Sequence, residues 1–243
     1  MRTLTFAKRN FIEIIRDPLN LSFLFGFPIV LLILLSAIQA NIPVSLFEIA
    51  HLAPGIVVFG LSFMTLFSAT LIAKDRQSSF MHRLYTTPMT PVDFILGYTL
   101  PLIPIALIEG IATYLFAVIL KLEISVNILL SLVVLIPIAL LYIGLGLLCG
   151  SVFNDKQVGG ICGALLTNLS AWLSGIWFDL DLVGGAFKKI AYALPFVHSV
   201  EAQRAVIAGD YSGIFPHLWW VLGYTFVILT AAVLLFLRQM KKQ

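Results

Sequence analysis

The chain has 243 residues, 60% of them hydrophobic and only 11% charged, with a net charge of +3 and a mean hydropathy of +1.03. Soluble domains carry about a quarter charged residues, so an ordinary water-soluble globule is excluded. No basic stripe interleaved with aromatics is present, which removes nucleic acid as a partner.

In chain order, residues 1–17 predict an interfacial helix. Leu4, Ala7, Phe11 and Ile15 share one face at helical spacing, while Lys8, Arg9, Glu13 and Arg16 occupy the rest. Pro18 interrupts this helix before the first apolar run. A basic amphipathic helix of this kind lies in the inner-leaflet interface; an early start of the first span is the alternative. About 20 apolar residues cross a bilayer core as a helix. On that measure six spans are predicted, over residues 19–40, 54–73, 94–120, 126–153, 158–178 and 218–237. The first run is too long for a signal-peptide core and has no small-residue cleavage site after Ala40, so it is expected to be retained. The third holds one charge, Glu109, downstream of Pro101 and Pro104. The fifth is polar for a span, reading TNLSAWLSG from Thr167 to Gly175. The expected fold is an all-α polytopic membrane protein forming a single domain over residues 1–243. Cys149 and Cys162 fall in apolar runs with no Cys/His cluster, so they read as packing residues rather than a disulfide or metal site.

The charges between spans orient the chain. Arg2, Lys8, Arg9, Arg16, Lys74, Arg76, Arg83, Lys156, Arg238, Lys241 and Lys242 lie on one side, against Lys121, Lys188, Lys189 and Arg204 on the other. The positive-inside rule then places both termini in the cytoplasm of a multi-pass protein of the cell membrane. Glu48, Glu123, Asp179, Asp181, Glu201 and Asp210 make the outer side mildly acidic.

Two connections break the apolar pattern. FMHRLYTTPMTPVDFILG, from Phe80 to Gly97, follows the second span. A short helix from Ser78 would group Phe80, Met81, Leu84 and Tyr85, with Lys74, Arg76, His82 and Arg83 around the rest. Thr87-Pro88 would stop it. A new helix would start with Thr90 as N-cap, Pro91 at the first helical position and Asp93 at the third. An apolar patch on the cytoplasmic side fits a protein partner or the lipid headgroups. On the outer side, DLVGGAFKKIAYALP and SVEAQRAVIAGD predict short amphipathic helices separated by Pro195, the second ending at Gly209. Their apolar faces suit the outer leaflet or the top of the bundle.

At these residues the chain resembles the ABC-2 type permeases, the transmembrane subunits of ATP-binding-cassette exporters. The resemblance rests on AKDRQSSFMHRLYTTPMTPVDFILGYTLP after the second span. It rests also on LSAWLSGIWFDL followed by IAYALPFVHSVEAQRAVIAGD near the end, and with the interfacial helix and six spans it covers nearly the whole chain. It implies that Gln77 to Leu84 is a coupling helix docked on a nucleotide-binding subunit, with Gln77, Ser78, Phe80, Met81, Arg83 and Leu84 as the contact residues. That favours a protein partner for the apolar patch. The chain departs from larger relatives in having almost nothing between spans one and two.

No G-x-x-x-x-G-K-[ST] occurs in the chain, so the nest and lysine that hold ATP phosphates are not expected here. This chain is expected to be no enzyme and to bind no cofactor. ATP and magnesium belong to a separate ABC ATPase, expected in two copies, working with a second permease copy or a sister permease in the lipid bilayer. The expected cargo is a hydrophobic or amphipathic small molecule or peptide, such as a drug, an antimicrobial peptide or a lipid-like compound. Glu109, Asn168, Ser170 and Ser174 are the candidate transport path; helix–helix hydrogen bonding is the alternative for these polar residues. An ion-gradient-driven transporter or channel is the competing reading, but such proteins show several intramembrane ionisable groups and only Glu109 lies deep in a span. An intramembrane enzyme would need convergent catalytic groups, and His51, His82, His198 and His217 all fall in loops or at span ends.

Overall fold

A computed structural model describes residues 2–42, 47–78 and 90–240. Among these residues the chain is helical throughout, without a strand. The helices are α1 (Arg2–Ile15), α2 (Pro18–Leu21), α3 (Phe27–Gln39), α4 (Ile49–Gln77), α5 (Pro91–Thr99), α6 (Leu102–Ile119) and α7 (Val126–Val152). They continue as α8 (Asp155–Val158), α9 (Thr167–Trp172), α10 (Leu180–Val183), α11 (Gly185–Ala193), α12 (Pro195–Ala208) and α13 (Tyr211–Met240). Widened π-helical turns at Ser22–Gly26 and Gly159–Leu166 join α2 to α3 and α8 to α9.

Five helical stretches are long and apolar enough to cross a membrane: Pro18–Gln39, Ile49–Gln77, Val92–Ile119, Val126–Val152 and Tyr211–Leu235. They match five of the six expected spans. The second and sixth start earlier than the hydropathy suggests, because Pro54 and Pro216 are carried inside their helices. The third is broken at Leu100–Pro101, between α5 and α6, where the proline cannot supply an amide hydrogen.

The remaining expected span, 158–178, is an interrupted helix. Asn154 caps α8 in a reciprocal box with Gln157, the π turn follows, and α9 ends at Trp172. The cause is local. Glycines at 159, 160 and 163 weaken the helix, and polar side chains then compete for its carbonyls. Thr167 Oγ1 donates to the carbonyl of Cys162 at 2.9 Å and Asn168 Nδ2 to that of Ala164 at 2.7 Å.

The core is built around α4, which packs against α3, α6, α7 and α12 and is almost entirely buried. Its closest neighbour is α7. A side chain at Gly146 would put Cβ 2.5 Å from the Thr65 carbonyl oxygen, so glycine lets the two backbones meet. Thr65 Oγ1 and Ser68 Oγ then donate across the seam to the carbonyls of Tyr142 and Ile143, at 2.9 and 3.2 Å. Small residues with interhelical hydroxyl bonds are what holds helices together where lipid supplies no hydrophobic drive.

The bundle has two distinct ends. α1 lies at one, beside α5 and the C-terminal turn of α4. α12 lies towards the other, beside the first turn of α4 and the start of α7. α12 is not a surface helix: Phe196, Val197, His198, Ser199, Val200, Ala202, Gln203 and Val206 are all buried. Of the two expected placements, the outer leaflet or the top of the bundle, it takes the one against the bundle. Pro195 is its first residue and the left-handed Gly209 its cap.

Candidate functional site

The expected coupling segment spans residues 77–84. Gln77 is the last residue of α4, and Ser78 caps that helix by donating its hydroxyl to the Asp75 carbonyl at 2.8 Å. Phe80, Met81, Arg83 and Leu84 lie outside the described residues. Beyond them the restart has the expected chemistry. Thr90 caps α5, its hydroxyl accepting from the Asp93 amide while the Asp93 carboxylate accepts from the Thr90 amide, with Pro91 in the first turn.

Both flanks of this segment are held by α1. The Arg9 guanidinium donates to both Asp75 oxygens, at 2.6 and 2.9 Å, and Tyr98 donates to the same carboxylate at 2.9 Å. Asp75 thus ties the end of α4 both to α1, through Arg9, and to α5, through Tyr98. Burial alone would lower the Arg9 pKa, but the hydrogen bonds and charge of Asp75 turn the shift upward. Asn10 is buried and donates to the Gly97 carbonyl at 2.9 Å, and Thr3 donates to Asp93. Phe6 packs edge-on against Phe94 and Tyr98. It does so over Gly97, where a Cβ would stand 2.2 Å from its ring. The face of α1 turned to the protein is therefore Phe6, Ala7, Asn10 and Ile14. Of the four residues expected to share the apolar face, Leu4 and Ile15 are exposed. The helix has two apolar sides, one for protein and one for its surroundings, and the sequence pattern does not say which is which.

Glu109 is completely buried on α6. Thr113, one turn on, donates to its Oε1 at 3.0 Å, and its Oε2 has no hydrogen-bond partner. The carboxyl lies against Gly60 of α4, where a Cβ would stand 2.1 Å from Oε1. The missing side chain of Gly60 is the room that the carboxyl occupies.

The other three candidate path residues sit elsewhere, on the interrupted segment. Asn168 is exposed and lines an apolar groove of about 510 Å³ with Gly160, Ala164, Leu165, Leu169, Trp172, Leu173 and Phe187. Ser170 and Ser174 are buried and donate to carbonyls three residues back, those of Thr167 and Ala171 in α9, each at 2.9 Å. Ser170 also meets Tyr142. The four candidates are thus not one constellation: Asn168 faces outward, the serines close local turns, and Glu109 is sealed between α4 and α6.

Sequence reasoning missed a polar seam at the α12 end. Gln203 is fully buried, with its Oε1 accepting from Ser131 and Tyr114 and its Nε2 donating to the Ser131 carbonyl at 3.1 Å. Arg204 beside it donates to the carbonyls of His51 and Gly175 and to Glu201, at 3.2, 3.0 and 2.8 Å. Burial lowers the Arg204 pKa against the opposing pull of Glu201. One guanidinium thereby fastens α12, the start of α4 and the left-handed turn at Gly175 (φ 71°). The signal available in the sequence was an adjacent Gln-Arg pair followed by the apolar run Ala205-Val206-Ile207-Ala208.

A family model described as ABC-2 type transporter matches residues 1–208. Among curated proteins no relative matches the chain.

Proposed function

Since the chain belongs to the ABC-2 type transporter family, we propose that it is the permease subunit of an ATP-driven exporter that moves a hydrophobic or amphipathic small molecule or peptide out of the cell. The observation that carries this reading is the family match over residues 1–208, on an all-helical chain with five stretches able to cross a membrane. The family implies an ABC ATPase partner, and hydrolysis is assigned to that separate subunit, two copies per transporter. Residues 77–84 are the segment it grips. The clasp of α1 on Asp75, Tyr98 and Gly97 supports this, because it braces both flanks of that segment against the bundle.

The interrupted segment counts as the sixth crossing, which keeps both termini in the cytoplasm of a cell-membrane protein, as the basic residues require. Its groove is the face offered to a second permease. An asparagine at membrane depth is costly against lipid and favourable against another helix, and Asn168 bonds only its own turn there. Between two such faces lies the path for cargo, with Asn168 on it. Glu109 is placed behind that path, where separation of α4 from α6 would expose it.

Two measurements test the reading. Leu84→Asp puts a charge where the ATPase docks, and an unpaired buried charge costs about 3–5 kcal/mol. The variant is expected to insert normally and to lose its ATPase partner on copurification; retention of the partner with normal stimulated hydrolysis would remove the segment from the mechanism. Cysteines at Ser79 and Ser212, with Cys149 and Cys162 replaced, are expected to label from opposite sides of intact cells. Labelling of both by an impermeant reagent from outside would end the six-crossing topology.

A further inference from the structure

Two histidines meet where α12 passes the start of α13. His198 Nδ1 and His217 Nδ1 are 2.8 Å apart, and His198 Nε2 lies 3.0 Å from the carbonyl oxygen of Tyr192 on α11. A carbonyl only accepts, so Nε2 of His198 carries the proton and its Nδ1 is the acceptor in the neutral ring. His217 Nδ1 must then be the donor. One proton is shared between the two facing nitrogens.

His198 is buried and stacks on Trp220, with ring centroids 5.0 Å apart and planes within 8°. His217 is half-buried and borders a cavity of about 420 Å³ with Glu48, His51, Glu201, Arg204 and Asp210. Among the described residues no third side chain joins the pair to make a metal site.

We propose that the His198–His217 contact is a proton-operated latch that fastens α12 to α13 and opens when both rings become charged. The pair tolerates a first proton. One Nδ1–H still lies between the two facing rings, and the hydrogen bond is kept. A second proton must go to His198 Nδ1, where it places N–H against N–H and cation against cation. The hydrogen bond is then lost and α12 is pushed from α13. Because α12 also carries Arg204 to the Gly175 turn and to His51, release of its first turn reaches the whole α12 end of the bundle.

The groups around the pair set the direction of the effect. Burial lowers the His198 pKa and the neighbouring His217 adds to this, while the Tyr192 carbonyl and Glu201, one turn along α12, oppose it. From α11, Lys188 stands over the Tyr192 ring. Glu48 just before α4, His51 in its first turn and Asp210 from the α12–α13 turn all stand around the cavity that His217 borders. From α7, Tyr142 meets α12 at Phe196. A histidine whose pKa is lowered on folding contributes stability that is complete above its ordinary value of 6.5 and is lost as pH falls below it. The latch is therefore closed at neutral pH and opens in acid. On the proposed topology it faces the cell exterior.

The test uses the full-length permease alone in zwitterionic nanodiscs, so its failure is separable from failure of the exporter reading. Hydrogen exchange of α12 amides, corrected for intrinsic rate, is followed from about pH 8 to about pH 5, the range in which histidines titrate. Emission of Trp220 is recorded alongside, with Trp220→Phe to identify its signal. In the wild type, α12 opening is expected to rise by about tenfold per pH unit below the transition, as one extra proton requires, with a parallel change in Trp220 emission. His217→Gln can donate to neutral His198 or accept from its charged form, so it is expected to flatten both responses. His198→Gln should do the same; if it fails to fold, His217→Gln decides. An acid response in His217→Gln equal to the wild type, or no response in the wild type, overturns the latch.

Discussion

Gly60→Ala is the sharpest structural test of how Glu109 is housed. The added methyl would stand 2.1 Å from Oε1 and 2.6 Å from Cδ of Glu109, well inside contact distance. A carboxyl is the mobile end of its side chain, but this one is fully buried, with Thr113 below it. It can yield only by leaving its rotamer or by forcing α4 from α6. Overpacking of this kind costs about 1–3 kcal/mol, and loss of the Thr113 hydrogen bond adds about 1 kcal/mol. The expected loss is therefore about 2–4 kcal/mol, read as a lower midpoint in thermal or denaturant unfolding of the detergent-purified permease.

The companion variants separate this cause from a general intolerance of change at Gly60. Glu109→Ala empties the space that the methyl would enter, so Gly60→Ala/Glu109→Ala should be more stable than the sum of the single changes by at least about 1 kcal/mol. Glu109→Gln keeps the shape and should give no such relief. A Gly60→Ala protein as stable as the wild type would refute the cradle. So would a penalty of equal size whether residue 109 is Glu or Ala.

Four further outcomes are expected. Gly97→Ala drives a methyl towards the Phe6 ring, nominally 2.2 Å away, and should loosen α1, seen as faster proteolysis within residues 2–15 with a cost of about 1–3 kcal/mol. Asp75→Asn removes the charge that the Arg9 guanidinium and Tyr98 both bond; because that guanidinium is 34% exposed, the loss in unfolding free energy should be about 1 kcal/mol, with reduced ATPase coupling as the more sensitive readout. Lys121 closes α6 in the left-handed region at φ 77°, so Lys121→Gly should raise the unfolding midpoint, by up to about 1 kcal/mol of stability. Arg204→Lys cannot reach three acceptors from one planar fork and should expose the Gly175 turn to cysteine labelling at Ile176, whereas an unchanged labelling rate would detach Arg204 from that turn.

What the sequence could reveal follows from how far apart the interacting groups are along the chain. Five long apolar helices were legible because hydropathy is a property of consecutive residues. So was the Thr90–Asp93 cap, whose partners are three residues apart, and the stop at Gly209, which needs only a left-handed residue. Arg9 with Asp75, Gly60 with Glu109 and His198 with His217 were not legible. Each depends on the rotation of one helix against another, and in a membrane protein apolar residues face lipid as readily as core, so the pattern does not fix that rotation. For the same reason Leu4 and Ile15 of α1 turned outward while the polar Asn10 turned in. Asn168, Ser170 and Ser174 were read together because they are close in sequence, yet both serines are buried and only Asn168 reaches the groove.

The two widened turns bear on how such a bundle would move. Ser22–Gly26 and Gly159–Leu166 each follow a short capped helix, begun by Asp17 in one case and Asn154 in the other. Both turns pack against α4. Each lies towards the α1 end, since Asp17 and Asn20 share a small cavity with Lys74 and Cys162 packs with Ala69, Ala73 and Cys149. A π turn has poorer hydrogen-bond geometry than the α-helix around it and often marks a functional position. The backbone flanking α4 is therefore most easily deformed at the end where Gln77 closes that helix. The α12 end, by contrast, is tied by Gln203, Arg204 and the histidine pair. If residues 77–84 couple to the ATPase as proposed, force applied there would bend the two π turns before it strained those ties, so the first displacement expected is of the interrupted segment that carries Asn168.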